Sequence, residues 1–147
     1  MELIAVKSDE QIKLFGTYKL ELIKYHQQYA NKLGLIDKVV ENYTYNDTIK
    51  HLNEVNYRQF LVVNNSNIVG ILEYRIEQSE IDDNKILYLK NLYIRKDSRG
   101  KGLAKAAINE LKKTGYRIEL ECWYGMPAND FYKSLGAKEL KTRYTIW

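Results

Sequence analysis

Short stretches in which apolar and polar residues alternate recur along the chain, and a period of two residues is typical of strands that bury one face. These stretches predict strands at 2–7, 59–63, 67–76, 87–94, 116–123 and 138–147. The polar run Asn64-Asn65-Ser66-Asn67 joins the second strand to the third as a hairpin turn. Gly70, inside the third strand, indicates a bulge. The fourth strand is almost wholly apolar, which predicts a central position in the sheet.

A helical period separates the first two predicted strands. Apolar and aromatic residues recur there at spacings of three or four and form one face: Phe15, Tyr18, Leu22, Tyr25, Tyr29 and Leu33. Ser8 or Asp9 caps the start of this helix, and Gly34 ends it. Further helices are predicted from Asn46 or Asp47 to 54, at 102–113 and at 128–135. The summed order of elements is β-α-α-β-β-β-α-β-α-β.

The composition predicts one folded domain over residues 1–147. Hydrophobic residues make up 45% of the chain, which is sufficient for a core, and no repeat or low-complexity linker divides it. A net charge of +4 is compatible with nucleic-acid binding. Because basic and acidic residues are interspersed, as in Lys7-Ser8-Asp9-Glu10, we nevertheless predict no nucleic-acid partner.

The single cysteine, Cys122, cannot form an internal disulfide, and a reducing cytoplasm is the predicted compartment. The first residues become charged at once and no long apolar run follows, so neither a secretory segment nor a membrane span is predicted. His, Cys, Asp and Glu show no metal-ligand spacing, so no metal is expected.

Between residues 87 and 113 the chain combines an apolar strand, a short polar turn and a helix. The turn closes on Arg99-Gly100-Lys101-Gly102-Leu103-Ala104, which places backbone N–H groups and two cations at a helix N-terminus. Such a terminus favours phosphate groups, and glycine lets the backbone approach them closely. No Gly-x-x-x-x-Gly-Lys-Ser/Thr run is present, which excludes a P-loop, and Lys105 breaks the dinucleotide-binding fingerprint.

The strand end Leu92-Tyr93-Ile94, followed by Asp97-Ser98-Arg99-Gly100-Lys101-Gly102, resembles the pyrophosphate loop of the GNAT superfamily of N-acetyltransferases. A later segment is similar to the second motif of that family at Ala128, Phe131, Tyr132, Gly136 and Ala137. The two motifs occur in the family's order and at its usual separation, and the resemblance covers about residues 57 to 147. Asp97 replaces the family's Gln or Arg, and Gly125 replaces its Asn.

The resemblance implies an α/β (α+β) fold, in which helices flank a mixed, mostly antiparallel sheet, and it implies acetyl-CoA as cosubstrate. Its pantetheine arm is expected to pair with the backbone of Leu92, Tyr93 and Ile94. Its diphosphate is expected to meet the loop residues Arg99, Gly100, Lys101, Gly102, Leu103 and Ala104, with Arg99 and Lys101 supplying positive charge. Asn129 is expected to replace the pantetheine contact that is lost at Gly125.

Tyr132, by its position in the second motif, is the implied general acid that protonates the departing CoA thiolate while the acceptor amine attacks the thioester directly. A buried structural tyrosine is the alternative interpretation. The base is left open among Glu73, Glu119, Glu121 and water, because each carboxylate is more simply explained as a solvated residue on a strand face. His26 and His51 lie on predicted surface helices, and Cys122 is not expected to act as a nucleophile.

The predicted activity is therefore acetyl transfer to a primary amine of a small molecule or peptide, without nucleic-acid or membrane partners. The amine itself is not legible in the sequence. The alternative function is an acyl-CoA sensor that has lost catalysis, which the departures at Asp97 and Gly125 support. A homodimer formed through the predicted last strand, 140–147, is a further hypothesis.

Overall fold

A computed structural model describes residues 1–35 and 45–147. Its strands are β1 (Glu2–Ala5), β2 (Tyr57–Asn64), β3 (Asn67–Gln78), β4 (Lys85–Ile94) and β5 (Arg117–Glu119). Its α-helices are α1 (Asp9–Lys32), α2 (Tyr45–Leu52), α3 (Leu103–Lys112) and α4 (Ala128–Ser134), and a single 3-10 turn covers Lys96–Ser98. Apart from the last predicted strand, the described elements follow the predicted order.

Helix α1 is capped at Ser8, one of the two caps that the sequence predicts, and the structure shows a capping box there. The Ser8 hydroxyl accepts a hydrogen bond from the Gln11 amide, and the Gln11 side chain accepts one from the Ser8 amide. The helix ends at Lys32, and Gly34 follows with a φ of 73°. These caps satisfy backbone groups that the helix itself leaves without partners.

The sheet has the strand order β1-β2-β3-β4-β5. The first three pairings are antiparallel, whereas β4 and β5 are parallel, so the fold is the mixed, mostly antiparallel sheet that was expected. Consecutive β3 residues pack on opposite faces. Leu72 belongs to a core beside α3 that also contains Leu87, Leu103 and Ile108, while Ile71 belongs to a second core beside α1 with Phe15.

Two bulges shape the middle of the sheet. Val62 pairs with Gly70 and Val63 with Ile68, so Val69 is the extra residue, and the bulge predicted at Gly70 is confirmed. In the second bulge Glu73 pairs with Asn91 and Tyr74 with Leu89, which leaves Lys90 as the extra residue of β4. A bulge of this kind bends its strand and redirects the neighbouring backbone groups.

The prediction of a final strand over 138–147 is wrong, because those residues form neither helix nor strand. The predicted strand at 116–123 shortens to Arg117–Glu119. An alternating pattern makes a segment suitable for a sheet, but a strand forms only where a neighbouring strand supplies partners for its backbone groups. Beyond Glu119 no described strand does so.

Candidate active site

The edge of β4 that faces β5 is open over half its length. The two strands pair only from Ile86 with Arg117 to Tyr88 with Glu119. From Leu89 to Ile94, that edge of β4 has no strand beside it among the described residues. We call this unpaired stretch of the β4 edge, from Leu89 to Ile94, the gap. Leu92, Tyr93 and Ile94, which were predicted to pair with pantetheine, lie along this open edge.

The loop after β4 leads into an uncapped helix N-terminus. Gly102 is the N-cap of α3, with a φ of 72°, and no side chain caps the helix. Gly100 also has a left-handed φ of 78°, and a Cβ added at either glycine would meet nothing within 4 Å. The first helical hydrogen bond runs from the Ala106 amide to the Gly102 carbonyl at 3.0 Å. The amides of Leu103 and Ala104 precede it and are therefore offered to a ligand.

The charged side chains of this loop differ in their surroundings. Arg99 donates from Nε to the Ile94 carbonyl at 2.8 Å, and its guanidinium lies 5.6 Å from the centre of the Tyr93 ring. Lys101 lines a polar recess against the β2–β3 turn, together with Arg95. The Asp97 carboxylate is 2.8 Å from Arg95, which compensates its negative charge beside the loop. The departure at Asp97 therefore need not oppose an anion there.

Tyr132 lies on α4, beyond the gap. Its half-buried ring packs against the core that contains Leu103, and Leu92 packs against the same core. Burial raises the pKa of the Tyr132 phenol above its usual value, and the nearby Cys122 raises it further. The phenol therefore stays protonated throughout the neutral range, where it serves as a hydrogen-bond donor.

Asn129 holds the turn in which Gly125 lies. Its side-chain nitrogen donates to the Trp123 carbonyl and to the Met126 carbonyl, both at 2.9 Å. These bonds use both amide hydrogens, so a contact from Asn129 to pantetheine would have to be made by its oxygen. Gly125 itself has a φ of 80°, a left-handed conformation that glycine adopts without steric cost.

Glu73 is the most buried charged residue of the site, with no exposed surface. Its Oε1 accepts hydrogen bonds from Lys19 at 2.5 Å and from Asn91 at 2.7 Å, and its Oε2 accepts one from Gln59 at 2.7 Å. Lys19 comes from α1, Gln59 from β2 and Asn91 from β4. We call these four residues the Glu73 cluster. The expectation that Glu73 is solvated is wrong.

Sequence comparison identifies the family to which this geometry belongs. A family model described as "Acetyltransferase (GNAT) family" matches residues 20–137. The chain belongs to the GNAT acetyltransferase family. The search of curated proteins gave no match.

Solved structures share the fold of this GNAT domain. A mutant of the BH1408 protein from Bacillus halodurans has a TM-score of 0.83 and 15% identity, with 99% of this chain and 98% of that chain covered. An aminoglycoside acetyltransferase from an uncultured soil metagenomic sample has a TM-score of 0.67 and 20% identity, with coverage of 99% and 98%. A ribosomal-protein-alanine N-acetyltransferase from Brucella melitensis biovar Abortus 2308 has a TM-score of 0.62 and 15% identity, with coverage of 99% and 96%.

The three carboxylates that are candidates for the general base in this GNAT domain, Glu73, Glu119 and Glu121, lie in different surroundings. Burial raises the pKa of Glu73, but Lys19 and the hydrogen bonds from Lys19, Gln59 and Asn91 outweigh it, so the pKa lies below the usual value. Such a carboxylate is a weak base. Glu119 accepts a hydrogen bond from Arg117 at 2.8 Å. Glu121 is exposed and lies beside Tyr88, whose pKa is raised to about 12 by burial and by that neighbouring carboxylate.

His26 and Cys122, two of the three weaker candidates for chemistry, are both half-buried in this GNAT domain. His26 on α1 is half-buried rather than a surface residue, and burial together with the charge of Lys19 lowers its pKa. Burial raises the pKa of the Cys122 thiol, which disfavours the nucleophilic thiolate. Within 1–35 and 45–147, no three His, Cys, Asp or Glu side chains are grouped to hold a metal ion. No helix in those ranges is long and apolar enough to span a membrane.

Sequence reasoning missed Lys19, Gln59 and Asn91. A signal for one of them was present, because Lys19 interrupts the apolar face of α1 between Phe15 and Leu22. A charged residue at such a position points inward and needs a partner. Glu73 carries the same signal, since it follows the buried run Val69–Leu72 in the middle of β3.

Proposed function

We propose that this protein transfers the acetyl group of acetyl-CoA directly to a primary amine of a small molecule or peptide. The observation that carries the proposal is the open edge of β4 running straight into the uncapped N-terminus of α3. A strand edge offers backbone groups to an amide-containing arm, and the helix terminus offers amides and a positive dipole to a diphosphate. Pantetheine and the diphosphate of CoA are joined in that order.

In this proposal the backbone of Leu92, Tyr93 and Ile94 pairs with the pantetheine arm. The amides from Arg99 to Ala104 bind the diphosphate, and Lys101 adds positive charge. Arg99 contributes mainly through its backbone, because its side chain is bound to the Ile94 carbonyl. Acetyl-CoA supplies an activated thioester, and the protein holds the carbonyl beside the gap.

The reaction exchanges one bond for another. The neutral amine nitrogen forms a bond to the acetyl carbon, the carbon–sulfur bond breaks, and the nitrogen loses a proton while the sulfur gains one. An alkyl ammonium has a pKa of about 10.4 and must lose a proton before it attacks. Glu121, exposed beside Tyr88 at the fork of the gap, is the carboxylate best placed to take that proton through water.

Tyr132 acts as the general acid in this scheme. Its raised pKa keeps the proton on the phenol below about pH 10, whereas a thiolate has a reference pKa of about 8.5. Full transfer to the sulfur is uphill, so Tyr132 stabilises the departing thiolate by donating a hydrogen bond and keeps its own proton, and the proton that the sulfur finally gains is the one that the amine releases through water. Because Tyr132 does not ionise below about pH 10, the pH dependence of the rate in that range does not reflect its titration.

The test is release of free thiol from acetyl-CoA against a panel of amines. The panel contains aminoglycosides and alanine-terminated peptides, because two of the structural neighbours are named for such acceptors. We expect Tyr132→Phe to lower kcat about 100-fold and to leave the Kd for acetyl-CoA nearly unchanged. We also expect the wild-type rate to rise with pH as the amine deprotonates, without a decline below about pH 10.

The matched control is Tyr74→Phe. Tyr74 is also half-buried, packs against the same core and has a pKa raised by burial, but it lies on β3 and stacks on Phe60 of β2. Its loss should leave kcat within about twofold. An equal loss of kcat in both variants, or none in Tyr132→Phe, contradicts the acid role. Tight binding of acetyl-CoA without thiol release from any amine would favour the sensor function instead.

A further inference from the structure

The Glu73 cluster places an ion pair where the surrounding residues are apolar. On the same face of the sheet, Leu61 and Ile71 are almost fully buried, and Phe15 of α1 packs on them. An apolar pair of similar size is often as stable as a buried ion pair, or more so. Packing alone therefore does not account for a Lys19–Glu73 pair at this position.

The cluster is connected to the open edge of β4 through one residue. Asn91 donates to Glu73 Oε1 at 2.7 Å and is its partner in the strand register. The next pair along is Tyr74 with Leu89, so the extra residue of the bulge, Lys90, adjoins Asn91 directly. Pairing between β4 and β5 ends at Tyr88, two residues before Lys90. The anchored residue therefore lies at the mouth of the gap.

The hydrophobic pattern of β4 requires a bulge but leaves its position open. Four residues of β4 pack on the α3 side: Leu87, Leu89, Leu92 and Ile94. Residues on one face of a regular strand lie two positions apart, but Leu89 and Leu92 lie three apart, so one extra residue stands between them. Either Lys90 or Asn91 could be the extra residue by that pattern alone. The hydrogen bond from Asn91 to the Glu73 carboxylate selects Asn91 as the paired residue and Lys90 as the bulged one.

We propose that Lys19 and Glu73 are positioning residues that act through Asn91: they fix the β4 bulge and so aim the backbone groups that border the thioester. This inference rests on the proposed acetyl transfer. Lys19 keeps the carboxylate ionised, the carboxylate holds Asn91, and Asn91 sets which β4 amides face the gap. A shift of about 1 Å in such groups is sufficient to lower a rate by about 100-fold.

Gln59 provides the matched comparison. It donates to the other oxygen of the same carboxylate, also at 2.7 Å, but it lies on β2, on the far side of β3 from the gap. A merely structural cluster predicts similar effects for the loss of either hydrogen bond. A positioning role through Asn91 predicts that Asn91→Leu impairs the reaction and that Gln59→Leu does not.

The experiment measures kcat and KM with an amine found in the panel, the Kd for acetyl-CoA, and amide hydrogen exchange along β4. We expect Asn91→Leu to lower kcat by about tenfold or more, with the Kd for acetyl-CoA within about twofold, and to speed exchange at 89–92 by about tenfold. If Asn91→Leu does not fold, Lys19→Met combined with Glu73→Leu takes its place, because it fills the space with apolar groups. The same result is expected for that double variant. Gln59→Leu should change kcat less than about twofold.

Equal losses of kcat in Asn91→Leu and Gln59→Leu would overturn the proposal. So would a loss of kcat in Asn91→Leu without faster exchange at 89–92, because Asn91 would then be contacting the substrate rather than setting the bulge. If wild-type protein releases no thiol with any amine, the proposed function fails, whereas the exchange comparison still decides whether Glu73 and Asn91 fix the bulge.

Discussion

Glu73 is a fully buried carboxylate whose hydrogen-bond donors come from α1, β2 and β4. Removing one partner of such a pair leaves the other charge buried without compensation, which costs far more than the intact pair contributes. The cluster therefore couples the stability of the sheet to residues that lie beside the gap.

At the residue scale we expect Lys19→Met alone to lower the free energy of unfolding by about 3–5 kcal/mol. Lys19→Met combined with Glu73→Leu should regain most of that loss, because no charge then remains buried. Urea unfolding at pH 7 measures both. A double variant as unstable as the single one would show that the two side chains do not interact as an ion pair.

The same pair predicts how stability depends on pH. The folded pKa of Glu73 is lowered, so its contribution is fully present above the unfolded pKa of about 4.3 and is lost as pH falls through the folded pKa. Lys19 is protonated in both states over that acid range and does not contribute to the slope. Wild-type protein should therefore lose stability below about pH 4 more steeply than the double variant does.

At the scale of elements, β4 is the strand on which the site depends. It is paired with β3 over its whole length, yet beside β5 it is open from Leu89 onward. Gly70 of β3 lies close against it, because a Cβ at that position would overlap the Tyr93 carbonyl oxygen and lie 3.1 Å from the Ile94 Cα. The absence of a side chain at Gly70 thus lets β4 lie where it does.

We expect Gly70→Ala to part β3 from β4, to lower the free energy of unfolding by about 1–3 kcal/mol and to weaken acetyl-CoA binding. Gly115→Ala is the control, because Gly115 has a φ of 79° with nothing within 4 Å. Its substitution brings backbone strain of about 1–2 kcal/mol and no overlap. Urea unfolding and acetyl-CoA titration distinguish the two variants, because only Gly70→Ala should change the Kd for acetyl-CoA. An unchanged Kd in Gly70→Ala would contradict a link between this contact and the binding strand.

Most elements could be predicted from the sequence because their signals are local. The cap at Ser8, the hairpin turn, the Gly70 bulge and the strand–loop–helix around Gly102 each depend on residues close together in the chain. The last predicted strand failed because its formation depends on a neighbour elsewhere. For the same reason β5 is shorter than its pattern, and that shortening opens the candidate site.

At the scale of the whole molecule, the C-terminal segment leaves a set of large apolar side chains in solvent. Tyr144, Ile146 and Trp147 are each more than 80% exposed, and Leu140 is 60% exposed. The segment contacts the rest of the chain through polar groups, such as the 2.9 Å pair of Lys141 with Glu80. Exposed apolar surface concentrated in one segment is typical of an interface.

We expect the protein to form a homodimer through this segment, with a second copy covering its apolar side chains. Light scattering on a sizing column should show a dimer in the micromolar range, and Tyr144→Lys combined with Ile146→Lys should give a monomer. Val55→Lys replaces an apolar residue before β2 that is also more than 80% exposed, and it should remain a dimer. A wild-type monomer at every concentration, or dissociation of both variants, would contradict the assignment.

The sequence by itself determined the family, the order of all but the last element, the glycine loop before α3 and the motif that contains Tyr132. Those features are carried by residues that are near one another along the chain, where spacing, capping and φ preference act directly. Only the tertiary structure decided that Lys19 meets Glu73, 54 residues away, that Asn91 joins them, and that β5 leaves β4 at Tyr88. These contacts depend on how helix and sheet pack, and the period of the sequence does not specify them.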